Sequence, residues 1–287
     1  MKIAVISGKG GTGKSSVSAA FASIGKSVVL ADCDVDTPDL HLLFDPSCDE
    51  ESVFVSGQKA VVDGNKCDGC GKCAAYCRFG AISVSGGKAA ISKITCEGCR
   101  LCSRVCPRDA IRFEEQNGSR IYAGRFRYGE MVYGKLAPGE ENSGRLVDLV
   151  REKAGQLAEE AGISTVIIDG PPGIGCPVMS SITGTDRVAI VTEPTLSGLR
   201  DLERVAGVAK GMGSDARVIV NKYDINGEMA SRIERYCREN GIPVVGRIPF
   251  DPVVVEAMVA CRSVPEYAPA AAASRAMELA YEGMDPV

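Results

Sequence analysis

The chain of 287 residues has no tryptophan and a single histidine, His41. A glutaminase-type site needs a nucleophilic cysteine with a histidine beside it. His41 lies in a helix-like DLHLLF, so a structural role is expected for it. There is no excess of positive charge either. The formal net charge is −4 and the isoelectric point about 5.3, which gives no electrostatic basis for binding nucleic acid or an anionic membrane surface. No apolar stretch approaches the roughly eighteen residues of a membrane span, and the opening MKIAVIS runs too quickly into glycines to be a secretory signal. The final PAAAASRAMELAYEGMDPV has Arg275 as its only cation against Glu278, Glu282 and Asp285, the wrong balance for an amphipathic membrane anchor. A cytoplasmic protein is expected, with neither nucleic acid nor membrane as a partner.

What the chain has in quantity is cysteine, thirteen in all. In a cytosolic chain of this length that number points to metal binding or catalysis and away from a disulfide scaffold. Eight fall between Cys67 and Cys106; Cys33, Cys48, Cys176, Cys237 and Cys261 are scattered.

Continuous Val/Ile-rich runs recur at residues 2–7, 27–31, 165–170, 187–193, 217–222 and 243–250. They do not alternate with polar residues, as befits strands buried on both faces. Helical stretches at 14–24, 144–161, 197–211, 228–240 and 253–260 separate them. The alternation predicts an α/β fold with a doubly wound, mostly parallel sheet. From about residue 58 to 117 the rhythm stops, and CDGCGKCAAYCRFGAI (67–82) returns as CEGCRLCSRVCPRDAI (96–111) at an offset of 29 residues. A small α+β module is therefore expected as an insertion over 58–117, between a first part (1–57) and a second part (118–287) of the α/β domain. The stretch SRIYAGRFRYGEMVYGKLAPGEENSG is read as short strands and turns, a connector leading back into that domain.

Gly8-Lys9-Gly10-Gly11-Thr12-Gly13-Lys14-Ser15 fits G-x-x-x-x-G-K-[ST] and stands after a strand and at a helix start. Backbone N–H groups of such a loop close around phosphates, and the helix N-terminus adds a positive dipole. The run from Gly8 to Ser16 is thus expected to hold ATP, with Lys14 on the β and γ phosphates and the Ser15 hydroxyl in the Mg²⁺ shell.

With Lys9 included, the loop resembles the deviant Walker A form, K-G-G-x-G-K-[ST], of the MinD/ParA/Mrp family of P-loop ATPases (SIMIBI class), which includes the nitrogenase iron protein. The resemblance extends over nearly all of residues 1–50 and 117–287. It implies that Lys9 crosses a two-fold interface to touch nucleotide held by the other subunit. It also implies that Asp34, in the DCD of residues 32–34, is the switch I carboxylate that orients attacking water and helps hold Mg²⁺, with Asp36 as the alternative. Asp169 in VIIDGPPG matches the Walker B position and the start of switch II, and Asn221 with Lys222 matches the adenine side. Cys176 follows Asp169 by seven residues, the spacing of a cluster-bridging cysteine in the nitrogenase iron protein. No second interfacial cysteine completes a set of four, so Cys176 is read as a small buried thiol. Cys237 and Cys261 are too far apart to form the C-x₂-C of Mrp-type cluster carriers.

Cys67, Cys70, Cys73 and Cys77 have the spacing C-x₂-C-x₂-C-x₃-C, and Cys96, Cys99, Cys102 and Cys106 repeat it, followed by Pro107. This is the bacterial two-cluster ferredoxin signature, in which each fourth cysteine ligates the other cluster. Cys67, Cys70, Cys73 and Cys106 are expected to hold one [4Fe–4S] cluster, and Cys96, Cys99, Cys102 and Cys77 the second. Zinc is the competing ligand, but paired zinc sites use C-x₂-C pairs with a long spacer. Arg78 stands where proline usually follows, a charge that can raise the potential of the cluster beside it.

The combination resembles a MinD-superfamily subgroup often labelled nucleotide-binding or cobyrinic acid diamide synthase-like. DCDVDTPDLHL, IIDGPPGIGCPV and TEPTLSGLRDLERV carry that resemblance. It implies a homodimer, or a heterodimer with a similar ATPase, that hydrolyses MgATP and couples nucleotide state to its iron–sulfur clusters. The expected use is assembly or transfer of an iron–sulfur or other metal cofactor to a partner protein. ATP-gated low-potential electron transfer to a redox partner, and a redox-sensing positioning ATPase, are the alternatives left open.

Overall fold

The six continuous apolar runs become six neighbouring parallel strands. In the computed structural model, which describes residues 1–285, they stand in the order Val244–Ile248, Ala216–Asn221, Arg187–Thr192, Lys2–Ser7, Thr165–Pro172 and Val28–Asp32. Their side chains on both faces are covered, with Ile3, Ile6, Leu30, Ile167 and Ile190 all fully buried, which is why these runs lack polar alternation. Helix Lys14–Gly25 packs on this sheet and on the helix Ala272–Glu282, where the Phe21 and Tyr281 rings meet at 5.2 Å between centroids. Burying a side chain such as Phe21 contributes about 1.5–3 kcal/mol. His41 has the structural place expected of it, its ring stacked on Tyr133 at 4.7 Å.

The short strands expected in the connector are present, and they join the main sheet. They are Ser119–Phe126 and Gly129–Lys135, which with Glu50–Phe54 extend the sheet to nine strands. Gly129–Lys135 runs parallel to Val28–Asp32, with Met131 opposite Leu30. Met131 and Val132 are fully buried, whereas neighbouring positions are half-exposed. That partial pattern gives no sign in the sequence of their place in the sheet.

The chain divides into two compact units. One comprises Met1–Glu51, Ile121–Lys135 and the chain from Ser143 onward, and contains the phosphate loop. The other comprises Ser52–Arg120 and Leu136–Asn142; the expected module, 58–117, falls inside it. This second unit pairs Gly57–Val62 antiparallel with Ile111–Gln116 and Ile82–Ser85 antiparallel with Lys88–Ile91. Two short helices, Lys72–Tyr76 and Leu101–Val105, pack together. Its small core is built from Ala60, Ala81, Ala89 and Ile111 with the cysteines themselves. No helix among the described residues is long and apolar enough to cross a membrane, and none of the thirteen cysteines is in a disulfide.

Candidate functional site

Strand Lys2–Ser7 runs into the glycine-rich loop, and helix Lys14–Gly25 starts where the loop closes. Gly13 has φ 92°, and a Cβ there would lie 2.3 Å from the Asn221 amide nitrogen. Both conformation and space therefore require glycine. Asn221 donates through Nδ2 to the Thr12 carbonyl at 2.7 Å, and Lys222 donates through Nζ to the Gly11 carbonyl at 3.2 Å. Asn221 and Lys222, expected on the adenine side, thus brace the backbone of the loop.

Lys14 points inward. Its ammonium lies 2.8 Å from Asp169 Oδ2 and 3.6 Å from Asp34 Oδ2. The Ser15 hydroxyl donates to the same Asp169 oxygen at 3.0 Å, and the Ser18 hydroxyl to the other at 2.6 Å. Burial pulls the Lys14 pKa down, but the charge of Asp169, its hydrogen bond, and Asp34 and Asp32 outweigh that and hold it well above the ordinary lysine value. Lys14 is a permanent cation. Asp34 goes the other way: burial pushes its carboxyl above the usual range, partly offset by Lys14. Asp36, the alternative switch carboxylate, is exposed.

Asp32, in the same DCD as Asp34, has a role that its place in the sequence does not show. It stands directly opposite Asp169 on the adjacent strand, and both are fully buried. Its carboxylate accepts the N–H groups of Asp34 (3.1 Å), Asp39 (3.2 Å) and Leu40 (3.2 Å), fixing the loop that carries Asp34. Burial and the nearby Asp169 push its pKa well above the ordinary value. Glu193 is another such residue. Lys9 Nζ lies 2.6 Å from Glu193 Oε1 and donates to the Ser197 hydroxyl at 3.0 Å, and Lys222 Nζ lies 3.7 Å from the other Glu193 oxygen. The cross-subunit contact expected of Lys9 requires this pair to open. Ser16, included in the expected nucleotide set, turns its hydroxyl toward the Met258 sulfur at 3.9 Å. Cys176 is exposed at the start of helix Cys176–Ile182, which corrects its reading as a buried thiol.

In the second unit the eight cysteines sort into two recesses. One is lined by Cys67, Cys70, Cys73 and Cys106. The other is lined by Cys96, Cys99, Cys102 and Cys77. Each recess takes its fourth thiol from the other repeat. Backbone N–H groups point at sulfur in the first recess: Ala89 donates to Cys67 Sγ at 3.4 Å and Ala110 to Cys106 Sγ at 3.3 Å. The bonds from Ala89 and Gly69 pull the Cys67 thiol below its ordinary pKa.

The family model for the CobQ/CobB/MinD/ParA nucleotide-binding domain matches residues 3–262. The chain belongs to this family. Among CobQ/CobB/MinD/ParA relatives, the uncharacterized protein MJ0578 of Methanocaldococcus jannaschii is 37% identical over 229 residues, covering 79% of each chain. The septum site-determining protein MinD of Helicobacter pylori is 31% identical over 136 residues, which is 42% of this chain and 50% of MinD. In fold the chain is similar to the cell division ATPase MinD of Pyrococcus furiosus, at TM-score 0.61 and 18% identity over 99% of this chain and 98% of that one. MinD of Pyrococcus horikoshii complexed with Mg-ADP gives TM-score 0.61 at 19% identity, over 99% and 96% of the two chains. MinD in the MinC:MinD complex of Aquifex aeolicus gives 0.56 at 19%, over 98% and 95%. The fold is the doubly wound P-loop NTPase fold of MinD, and the site at Lys14 is that of a MinD/ParA-type nucleotide-binding protein.

Proposed function

We propose that this protein is an MgATP-hydrolysing ATPase that couples its nucleotide state to two [4Fe–4S] clusters and works in assembly or transfer of a metal cofactor on a partner protein. One observation carries this proposal: a single chain combines the Lys14–Asp169 phosphate-loop site with two recesses of four cysteines each. The residues fit the groups. Beside the Lys14 cation, Thr12 Oγ1 is buried with no hydrogen-bond partner, an acceptor or donor that a phosphate oxygen or its water satisfies. Ser15, Asp34 and Asp169 are the oxygen donors that would hold Mg²⁺. Four thiols line each recess, three of them at three-residue steps and the fourth from the other repeat, a ligand set that suits a polynuclear cluster better than zinc. Cys67, Cys70, Cys73 and Cys106 would hold one cluster, and Cys77, Cys96, Cys99 and Cys102 the other. Bound there, such clusters supply one-electron chemistry at low potential.

The chain's own residues do the nucleotide work. Lys14 exchanges Asp169 for the β and γ phosphates, which frees Asp169 and the Gly-Pro-Pro-Gly stretch after it to report the γ-phosphate. Asp34 orients the attacking water. Lys9 leaves Glu193 for the nucleotide of a second copy, or of a similar ATPase, and places a positive charge where negative charge develops. The MinC:MinD complex of the Aquifex relative supports action on a partner protein. A second use, ATP-gated electron delivery, is favoured by the burial of Cys73 and Cys96, which suits resident redox centres better than cargo.

The test is anaerobic purification followed by iron, sulfide and ATPase assays. About eight irons and eight sulfides per chain are expected, with MgATP hydrolysis lost in Lys14→Ala. Stoichiometric zinc without sulfide, or unchanged hydrolysis in the variant, would overturn the proposal. Incubation with an apo partner separates its two uses: metal appears in the partner for assembly, whereas the partner is reduced without gaining metal for electron delivery.

A further inference from the structure

The internal repeat reaches beyond its cysteines. Lys59 and Lys88 are 29 residues apart, as Cys67 and Cys96 are, and each lysine reaches into the other repeat. Lys59 Nζ donates to the Cys96 carbonyl at 2.5 Å, and Lys88 Nζ donates to the Cys67 carbonyl at 2.5 Å. The backbones cross in the same way. A Cβ at Gly69 would lie 2.3 Å from the Gly87 carbonyl oxygen, and one at Gly98 would lie 2.3 Å from that of Gln58. Each cysteine loop is therefore seated on the residue that precedes the other repeat's lysine, and only glycine permits the approach.

The two lysines are equivalent in sequence and in hydrogen bonding, but not in burial. Lys59 is 4% exposed, and its carboxylate partner Glu141, 3.3 Å away, has a side chain 51% exposed. Lys88 is open to solvent. Water screens a charge at the surface far more than protein screens one inside. The other charges are screened, since Arg78, Glu97, Arg100 and Arg108 are all exposed to solvent. Arg78 and Arg100 line the recess of Cys96 together with Glu97. Around the recess of Cys67 the cations are the exposed Lys88 and Arg108, the latter neutralised by Asp68 at 2.8 Å. An iron–sulfur centre gains a negative charge on reduction, so an unscreened cation beside it favours the reduced form.

We propose that Lys59 is a positioning residue that seats Cys96 and sets the charge around it, so that the cluster held by Cys77, Cys96, Cys99 and Cys102 has the higher reduction potential of the two. This rests on the two-cluster assignment above. The full chain, prepared anaerobically with its iron and sulfide counted, is titrated with dithionite and followed by electron paramagnetic resonance. Lys59→Met lowers the potential of the first-reduced cluster, Lys59→Arg restores it, and Lys88→Met leaves both potentials close to wild type. Glu141→Gln, which removes the compensating carboxylate, raises the potential of that same cluster. Unchanged potentials in a fully loaded Lys59→Met protein, or an equal shift in Lys88→Met, overturn the proposal. If Lys59→Met does not retain its clusters, Glu141→Gln decides: an unmoved potential overturns it. Wild type without iron and sulfide overturns the two-cluster assignment itself, an outcome that metal analysis alone identifies.

Discussion

Lys14 Nζ lies 2.8 Å from Asp169 Oδ2, and Asp169 stands opposite a second fully buried carboxylate, Asp32. One ammonium thus serves two carboxylates that have no access to water. Lys14→Ala leaves them without a counter-charge, at an expected cost of about 3–5 kcal/mol of stability. Denaturant unfolding checks this. A variant as stable as wild type would mean that this pair of strand-end aspartates needs no counter-charge. Hydrolysis in the same variant falls by at least about 10²–10³-fold, since a preorganised cation at the transferring phosphate is gone.

The Lys9–Glu193 pair makes a second expectation. Lys9→Ala keeps nucleotide binding by the single chain nearly intact but loses ATP-dependent dimer closure and the hydrolysis that follows it. Glu193→Gln releases Lys9 from its contact at 2.6 Å, so association with a non-hydrolysable ATP analogue occurs at lower protein concentration than in wild type. Sedimentation of the three proteins measures both effects. Association by Lys9→Ala equal to wild type would leave Lys9 as a surface charge.

Asp34 gives a pH dependence with a definite sign. Burial, and then Asp169, raise its folded pKa above the unfolded value, against the pull of Lys14. The folded chain therefore takes up this proton before the unfolded chain does as pH falls. Its contribution favours the folded state increasingly as pH drops from above the folded pKa toward the unfolded one, and penalises it at neutral pH. Asp34→Asn should stabilise the protein at neutral pH and flatten that segment of the stability profile. Mg²⁺ needs the ionised carboxylate, so wild-type MgATP binding releases protons in the same window. Calorimetry in buffers of differing ionisation enthalpy detects the release, and its absence would exclude Asp34 from the metal shell.

The parts of this molecule that were legible in the sequence are those written in local order. Residues 2–7 and 165–170 are continuous apolar runs, and 8–15 is a complete phosphate-loop motif, so strand, loop and helix follow from neighbours in the chain. Short strands were legible across 119–135 but their place in the main sheet was not, because only some of their residues are buried and glycines interrupt them. Asp32 was passed over for Asp34 because its importance comes from register: it meets Asp169 only once the two strands pair. Glu193 lies far along the chain from Lys9, and no spacing rule joins them. Lys59 and Lys88 were hidden for a simpler reason, since the repeat is marked by its cysteines and the lysines lie outside the matched blocks. Their exchange between repeats is a property of the folded unit.

Nucleotide at Lys14 and the clusters proposed at the eight cysteines are expected to act together. Midpoint potentials of the anaerobically purified chain, measured with ADP and with a non-hydrolysable ATP analogue, test this coupling most directly. About eight irons and eight sulfides per chain are expected, with potentials that differ between the two nucleotides in wild type and no difference in Lys14→Ala. A chain that carries zinc without sulfide, or potentials that ignore the nucleotide in wild type, would contradict it.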